Sequence, residues 1–226
     1  MKTTAILVAM SEELRPFAKS LGKGRQAGEF CGKEITVYDT ADGRIYLINT
    51  GVGEIAAAAA TQAAVERWNP DLIINFGLVG SLSGAIRAGD VVVADKIVHY
   101  DYDISALENV CVGKYTELAD VYIPCSPIKD RIARKFGLPL VTVASGDKFI
   151  ADAQAKKQLV QSFGAQICEM ESAAIALTAY RNGKQCLFLK IVSDNADENS
   201  PADFVKACEK GTEKLSEIMV KLIKEL

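Results

Sequence analysis

The sequence predicts an α/β protein, a three-layer sandwich in which helices flank a central twisted sheet that is mixed but mostly parallel. Continuous apolar runs of strand length alternate with helix-like stretches along the chain, as expected for strands that are buried on both faces. Asp42-Gly43 separates two early strand-like runs and indicates an antiparallel hairpin. Because no linker or internal repeat interrupts the 226 residues, we expect one domain that spans residues 1–226.

Seven runs have the composition of strands, and two stretches have clear helical patterns. The strand-like runs are residues 4–9, 34–38, 44–49, 72–77, 91–94, 138–144 and 186–192. The Ala-rich stretch 55–68 predicts a helix that ends at Asn69-Pro70. In the C-terminal helix, Ser200 is the expected N-cap and Pro201 the first helical residue, and apolar residues follow at spacings of three and four.

The charge balance and the N-terminal sequence exclude several classes of partner and location. With 26 Lys and Arg against 29 Asp and Glu, the formal net charge is −3, which gives no electrostatic reason to expect a nucleic acid or an anionic membrane surface as partner. The N-terminal apolar run is too short for a signal peptide and precedes Glu12 and Glu13. No run approaches the roughly 18 apolar residues of a spanning helix. We therefore expect a soluble, cytoplasmic protein.

Cysteine and histidine are too scattered to indicate a metal site or a hydrolase triad. The six cysteines include no C-x-x-C pair, and His99 is the sole histidine. Zinc sites need Cys and His clustered at ligand spacing, so we expect no metal and no other cofactor. A Ser-His or Cys-His catalytic pair would have to use His99, so the sequence does not favour a hydrolase with a catalytic triad.

Carboxylates and Gly-rich turns recur where the predicted strands end. Ligand sites of such sheets lie outside the carboxyl ends of the strands, so residues at these ends share one rim. These residues are Glu12 and Glu13, the turn from Asn75 to Gly80, Ser145-Gly146-Asp147, Glu169 and Glu171, and Ser193-Asp194. Singly, each has an ordinary explanation, such as an N-cap for Asp194. Glu169 and Glu171 are two residues apart, so on a helix at most one would face a given pocket. Together they predict a binding site at this rim.

Seven motifs along the chain carry a family resemblance. They are Ala9-Met10-Ser11-Glu12-Glu13, Asn49-Thr50-Gly51-Val52-Gly53, Asn75-Phe76-Gly77-Leu78-Val79-Gly80, Ala88-Gly89-Asp90-Val91-Val92, Val143-Ala144-Ser145-Gly146-Asp147-Lys148-Phe149-Ile150, Glu169-Met170-Glu171-Ser172-Ala173-Ala174 and Val192-Ser193-Asp194. The chain thereby resembles, over essentially its whole length, the purine nucleoside phosphorylase/nucleosidase superfamily, and within it the bacterial 5′-methylthioadenosine/S-adenosylhomocysteine nucleosidases. The resemblance implies a nucleoside phosphorylase/hydrolase-like fold and an enzyme of methionine salvage that hydrolyses the N-ribosidic bond of a purine nucleoside and releases adenine. It also implies a homodimer.

The resemblance assigns the two catalytic roles to carboxyl groups. Asp194 is implied to be the general acid that protonates the purine N7, with Ser193 beside it as a hydrogen-bonding support. Glu13, rather than its neighbour Glu12, is implied to activate the attacking water. Hydrolysis of this bond passes through an oxocarbenium-like transition state with a poor leaving group, so it requires both an acid at the base and a group that deprotonates water.

The resemblance also implies residues that hold the nucleoside. They are Met10, Met170 and Glu171 at the ribose, Phe149 and Ile150 at the purine, Phe204 at the 5′ substituent, and Gly80 in the Gly-rich turn. Glu171 would accept hydrogen bonds from the ribose hydroxyls. Phe149 would stack on the purine ring, and backbone groups of Ile150 would bind its edge.

Three positions depart from the pattern of this family. Leu78 stands where a small hydroxyl residue is common and makes the water pocket less polar, and Tyr100 and Tyr102 stand where a His and a small residue are usual. We therefore expect an apolar 5′ substituent to be favoured, with a futalosine-type substrate as an alternative. A phosphate-dependent phosphorylase and a non-catalytic nucleoside-binding protein are further alternatives. Asn75-Phe76 offers no Arg where related phosphorylases place one, and this favours hydrolysis.

Overall fold

Ten strands and six helices build the part of the chain that the computed structural model describes, residues 2–41 and 43–225. The strands are β1 (Lys2–Val8), β2 (Arg25–Phe30), β3 (Lys33–Asp39), β4 (Gly43–Asn49), β5 (Leu72–Ser81), β6 (Val91–His99), β7 (Ile123–Pro124), β8 (Leu140–Ser145), β9 (Ile167–Glu169) and β10 (Gln185–Asp194). The helices are α1 (Ser11–Leu21), α2 (Glu54–Trp68), α3 (Ile128–Phe136), α4 (Ala153–Phe163), α5 (Ser172–Arg181) and α6 (Ser200–Ile223). None of these helices is both long and apolar enough to cross a bilayer.

The sheet is mixed and partly closed on itself. Strands β1, β5 and β10 are parallel neighbours. Strand β10 also pairs with β6, and β6, β8, β9 and β5 follow in order, so these five strands form a ring, whereas β4, β3 and β2 extend the sheet beyond β1. An α/β fold with a mixed sheet flanked by helices is thus confirmed. Parallel pairing does not predominate, however, since five of the ten pairings between described strands are antiparallel.

Apolar residues of the central strands alternate between two clusters. Leu187 and Leu189 of β10 pack in a cluster that contains residues of α1, α3 and α6, whereas Phe188 packs in a cluster that contains residues of α2 and α5. Because successive side chains of a strand point to opposite faces, a strand covered on both faces must be apolar at every position. The continuous apolar run in the sequence has this origin.

The early hairpin is confirmed, and one strand beside it was not predicted. Strands β3 and β4 pair antiparallel, with Tyr38 opposite Ile45, while Asp42 of the predicted turn lies outside the described residues. Strand β2 continues the meander with a register shift between Gln26 and Gly28. Its sequence is polar and has no alternation, so the period-two signal of a strand is missing there.

The prediction that Ser200 caps the C-terminal helix is wrong by one residue. Asn199 occupies the N-cap position of α6 without a side-chain capping bond, and Ser200 is the first helical residue. The Ser200 hydroxyl instead accepts a hydrogen bond from the N–H of Asp197 at 2.7 Å, which closes the turn between β10 and α6. Pro201 follows within the first turn, where a missing N–H costs the helix nothing.

Candidate active site

A cavity of about 330 Å³ opens beyond the carboxyl ends of β1, β5 and β10. It is lined by all ten residues that the sequence predicts for the site, namely Met10, Glu13, Gly80, Phe149, Ile150, Met170, Glu171, Ser193, Asp194 and Phe204. Seven more line it as well: Ala9, Val52, Leu78, Val79, Lys148, Cys168 and Glu169. The volume falls in the range of small-molecule sites, about 300–1,000 Å³. The structure therefore brings the predicted residues together, and their individual roles remain predictions.

Glu13 is held at the cavity wall by two backbone N–H groups. It lies in the first turn of α1, and its carboxylate accepts hydrogen bonds from the N–H of Leu78 at 2.8 Å and of Met10 at 3.1 Å. A Cβ atom on Gly77 would lie 2.8 Å from the Glu13 carboxylate, so the approach requires glycine there. Burial raises the pKa of Glu13 to about 7, although the Leu78 N–H and the charge of Lys190 oppose the shift. The carboxylate is therefore poised to exchange a proton near neutral pH.

The preference for Glu13 over its neighbour has a geometric basis in the structure. Glu12 is exposed to solvent and does not line the cavity. Consecutive residues of a helix point about 100° apart, so only one of the pair can face the sheet.

Asp194 and Ser193 lie at a bulge at the end of β10. The pairing with β5 shifts register between Val192 and Asp194, and such a bulge redirects the side chains beside it. The Asp194 carboxyl group accepts a hydrogen bond from the Ala196 N–H at 2.9 Å, and the Ser193 hydroxyl lies 2.6 Å from its other oxygen. Asp194 is buried and is not the N-cap of a helix. These contacts fix the orientation of the buried Asp194 carboxyl group at the cavity wall.

Glu171 reaches the cavity from the start of α5. Its carboxylate accepts a hydrogen bond from the Gly53 N–H at 2.9 Å, where Gly53 has a φ of +97° and a Cβ atom would lie 2.8 Å from Asp147. Burial, reinforced by the negative charge of Glu169, raises the pKa of Glu171 to about 7.

Glu169 lines the cavity together with Glu171, contrary to the expectation that at most one of them would face it. That expectation assumed a single helix, whereas β9 ends at Glu169 and α5 begins at Ser172, so the two residues lie on a strand end and a turn. Burial works to raise the pKa of Glu169, but the Lys190 ammonium group and hydrogen bonds from Ser145 and Ser172 hold it below its ordinary value.

Lys190, a buried partner of Glu169, is not among the residues that the sequence predicts for the site. Its ammonium group donates a hydrogen bond to Glu169 at 2.8 Å, and both side chains are almost fully buried. The available signal was a lysine in the middle of the otherwise apolar run 186–192, because a buried lysine requires a partner of opposite charge.

Aromatic and apolar side chains form the mouth of the cavity. Phe149 packs edge to face on Phe204, with ring centroids 5.7 Å apart and an angle of 84° between the rings. Phe149 is 42% exposed and Val52 is 55% exposed, so this end of the cavity is open to solvent. Apolar groups at an open mouth can cover a ligand by contact alone, without directional hydrogen bonds.

Comparisons with known proteins show the family to which this chain belongs. The family model described as the Phosphorylase superfamily matches residues 3–224. The chain belongs to the phosphorylase superfamily. A 5′-methylthioadenosine/S-adenosylhomocysteine nucleosidase from Shewanella halifaxensis is 26% identical over 228 residues, which cover 98% of each chain.

Solved structures of other superfamily members extend the similarity to three dimensions. One is a 5′-methylthioadenosine/S-adenosylhomocysteine nucleosidase from Helicobacter pylori with butyl-thio-DADMe-Immucillin-A, with a TM-score of 0.94, 27% identity and coverage of 100% of this chain and 99% of that one. Another is futalosine hydrolase from Helicobacter pylori, with a TM-score of 0.93, 26% identity and coverage of 100% and 98%. Both similarities span the whole phosphorylase fold.

The three residues that depart from the family pattern lie in different places in the structure. Leu78 lines the cavity, as predicted. Tyr100 lines a separate neighbouring cavity of about 610 Å³, and Tyr102 stacks on Tyr115 with ring centroids 4.1 Å apart. Neither tyrosine is among the described residues that line the candidate site.

Cationic groups are sparse at this phosphorylase-superfamily site. Of the residues described at the cavity wall, Lys148 alone carries a positive charge, against the carboxyl groups of Glu13, Glu169, Glu171 and Asp194. Within residues 2–41 and 43–225, no cluster of three or more His, Cys, Asp or Glu has the arrangement of a metal site.

Proposed function

We propose that the protein is an N-glycosyl hydrolase that cleaves the N-ribosidic bond of a purine nucleoside. The substrate is 5′-methylthioadenosine, S-adenosylhomocysteine or both, and adenine is released. The observation that carries the proposal is a buried Glu13, with a pKa near 7, on the same cavity as the buried Asp194. Simple binding of a nucleoside does not require both carboxyl groups. The nucleosidase relatives support the same reaction.

Glu13 and Asp194 divide the proton transfers of the reaction. Asp194 donates a proton to N7 of the purine while the bond between C1′ and N9 breaks, so the base departs neutral. Glu13 accepts a proton from the water whose oxygen bonds to C1′. A carboxylate with a pKa near 7 is a stronger base than an ordinary glutamate and is still substantially ionised at neutral pH.

Glu171 and the apolar wall position the nucleoside. The Glu171 carboxylate accepts hydrogen bonds from the ribose hydroxyls, and Met10 and Met170 pack on the sugar. Phe149 stacks on the purine ring, and backbone groups of Ile150 bind its edge. All five residues line the same cavity, which supports this arrangement.

Hydrolysis is favoured over phosphorolysis by the charges and the N–H donors at the cavity. A bound phosphate needs fixed cations or free N–H groups. The Leu78 N–H is already bound by Glu13, and the described lining carries four carboxyl groups against one lysine. A dianion would therefore be repelled where a neutral water is accepted.

A futalosine-type hydrolase is the second candidate function, because futalosine hydrolase from Helicobacter pylori shares the fold with a TM-score of 0.93. The same hydrolytic residues would serve either substrate. The two functions differ in the nucleoside that the cavity accepts.

One experiment tests the proposal and its alternatives. Purified protein is incubated with 5′-methylthioadenosine, S-adenosylhomocysteine, adenosine and futalosine, and free base is measured by chromatography with and without added phosphate. We expect adenine release without phosphate. Release that requires phosphate would indicate a phosphorylase, release from futalosine alone would indicate the second candidate, and no release would indicate a binding protein.

The biological setting belongs to the same proposal. We propose a cytoplasmic enzyme of methionine salvage that folds as one three-layer domain and acts as a homodimer, with the partner closing the 5′ end of the cavity. Val52, which lines the cavity and is 55% exposed, and Ile55, which is three residues further along the chain and 83% exposed, support an apolar contact there. A fully active monomer in light scattering would contradict the dimer.

A further inference from the structure

We propose that Glu54 is a positioning residue, which caps helix α5 with a neutral carboxyl group and so leaves Glu171 free to bind the ribose. The inference rests on the proposed nucleosidase function for the role of Glu171. Glu54 is the first residue of α2, is buried, and does not line the cavity. No step of the proposed reaction uses it.

Helix α5 has an N-cap residue that does not cap it. Glu171 occupies the N-cap position, where a short polar side chain ordinarily accepts a hydrogen bond from an N–H group of the first turn. Its carboxylate makes no such bond and accepts the Gly53 N–H instead, from the other side of the cavity wall. The first-turn N–H groups of α5 therefore need other acceptors.

Three residues from outside α5 supply these acceptors. Glu169 accepts from the Ser172 N–H at 3.0 Å, and the Ser145 hydroxyl accepts from the Ala173 N–H at 2.9 Å. Glu54 accepts from the Ala174 N–H at 2.5 Å. Without this acceptor, the Ala174 N–H is left unpaired near the Glu171 carboxylate, which would then be drawn back onto its own helix.

The contacts of Glu54 indicate which form of it does this. The Ser145 hydroxyl lies 2.5 Å from one Glu54 oxygen, and the Ala174 N–H binds the other. Glu54 forms none of the ion pairs found among the described residues, whereas its neighbour Glu169 is paired with Lys190. A buried carboxyl group without a cation is expected to be neutral, so Glu54 carries a proton.

The surroundings of Glu54 agree with a neutral carboxyl group. Burial and the negative charge of Glu169 raise the pKa of Glu54 to about 9. The titratable groups that face it are Glu169 on β9, Glu171 before α5, Asp147 after β8, Tyr100 after β6 and Tyr115 in the following loop. None of these groups is a cation, and Lys190 of β10 is paired with Glu169.

Two substitutions separate positioning from a general structural role. Glu54→Gln keeps one acceptor for the Ala174 N–H and one donor to Ser145, so it copies the neutral form; Glu54→Met keeps the bulk and removes both bonds. We measure kcat and KM for 5′-methylthioadenosine and for its 2′,3′-dideoxy form, which lacks the hydroxyls that Glu171 would bind. Glu54→Met should raise KM about tenfold for the first substrate and less than about twofold for the second.

The controls make every outcome informative. Glu66→Gln removes an exposed carboxylate from the same helix and should change nothing. Glu54→Gln should match the wild type within about twofold at pH 7, and the wild-type value of kcat/KM should fall relative to Glu54→Gln above about pH 9. Equal losses on both substrates in Glu54→Met would overturn the positioning role. A loss of kcat/KM in Glu54→Gln at pH 7 would contradict a neutral Glu54. A ratio of wild-type to Glu54→Gln kcat/KM that stays constant up to pH 10 would contradict it as well.

Failure of the proposed function is distinguishable from failure of this inference. If the wild type releases no base, the same comparison is made with the dissociation constants of the two nucleosides. If Glu54→Met does not fold, as judged by circular dichroism, the pH comparison with Glu54→Gln is made on both nucleosides, and a loss above pH 9 that is equal for the two would overturn the positioning role.

Discussion

The two ends of the cavity are built on different principles. At the reaction end, Glu13, Glu171 and Asp194 are buried, and each is fixed by a backbone N–H group. At the mouth, Phe149 and Val52 are about half exposed and are held by apolar contact. Backbone N–H groups preorganise charge without reorganisation during the reaction, whereas apolar contacts adapt to the ligand. Substitutions at the first end should therefore change the rate, and substitutions at the second should change which nucleoside is accepted.

The largest effect is expected from Asp194→Asn at the reaction end. Asparagine keeps the shape and can accept the Ala196 N–H, but it has no carboxylic proton to give to N7. General acid catalysis is worth about 10²–10⁴ in rate, so kcat should fall by that factor while the melting temperature is retained. Activity within about threefold of the wild type would remove Asp194 from this role.

Glu13→Gln should abolish turnover to a similar extent and still bind adenine. The amide oxygen can accept one of the two N–H groups that hold Glu13, but the amide cannot take a proton from water. Glu12→Gln is the matched control, because Glu12 is the exposed neighbour on the same helix turn. Turnover and adenine affinity are measured for both variants. A severe Glu12→Gln defect with a mild Glu13→Gln defect would reverse our assignment.

The raised pKa of Glu13 predicts an acidic limb in the pH profile. The carboxylate must be ionised to accept a proton, so kcat/KM should level off above pH 7, up to the decline near pH 9 that Glu54 predicts, and should fall at least tenfold per pH unit well below pH 7, because Glu171 titrates in the same range. An ordinary glutamate would place this limb near pH 4.5. A limb at that lower pH, in protein shown to remain folded, would contradict a buried Glu13 as the base.

The sequence predicts the residues that line the cavity better than it predicts the residues around them. The cavity residues were predictable because strand ends of a parallel arrangement meet, and the motif order identified which ends matter. Lys190 and Glu54 were not predictable, because each forms its hydrogen bond with a residue distant in the sequence. The partner is Glu169 for Lys190 and Ala174 for Glu54. The positions of Tyr100 and Tyr102 also depended on tertiary packing that local patterns do not contain.

The pairing of strands that are distant in the sequence could not be predicted from local patterns either. The apolar run of β10 indicates a strand covered on both faces, but not that it lies between β5 and an antiparallel β6. Strand direction is set by connections elsewhere in the chain. The one-residue error at Ser200 is of another kind, because Asn199 and Ser200 are both good caps and only the turn geometry chooses between them.

A moderate effect is expected from Phe149→Ala at the mouth. Loss of the aromatic face that stacks on the purine is worth about 1–3 kcal/mol, so KM should rise about tenfold. Because no proton transfer involves this residue, kcat should stay within about twofold. Val205→Ala, an exposed neighbour of Phe204 on α6, serves as the control. A loss confined to kcat would show that the two ends are not independent.

The smallest effect concerns Leu78, whose N–H binds Glu13 and which also lines the cavity. An apolar wall cannot pair with a buried polar group, and an unpaired group costs about 1–3 kcal/mol. We therefore expect kcat/KM for 5′-methylthioadenosine to exceed that for S-adenosylhomocysteine, whose homocysteine tail is charged. Leu78→Ser should lower this ratio about threefold, and Leu78→Ala, which enlarges the cavity without a hydroxyl, should not. A wild-type ratio below one would contradict the apolar preference. An unchanged ratio in Leu78→Ser would assign that preference to Val52, Phe149 and Phe204 instead.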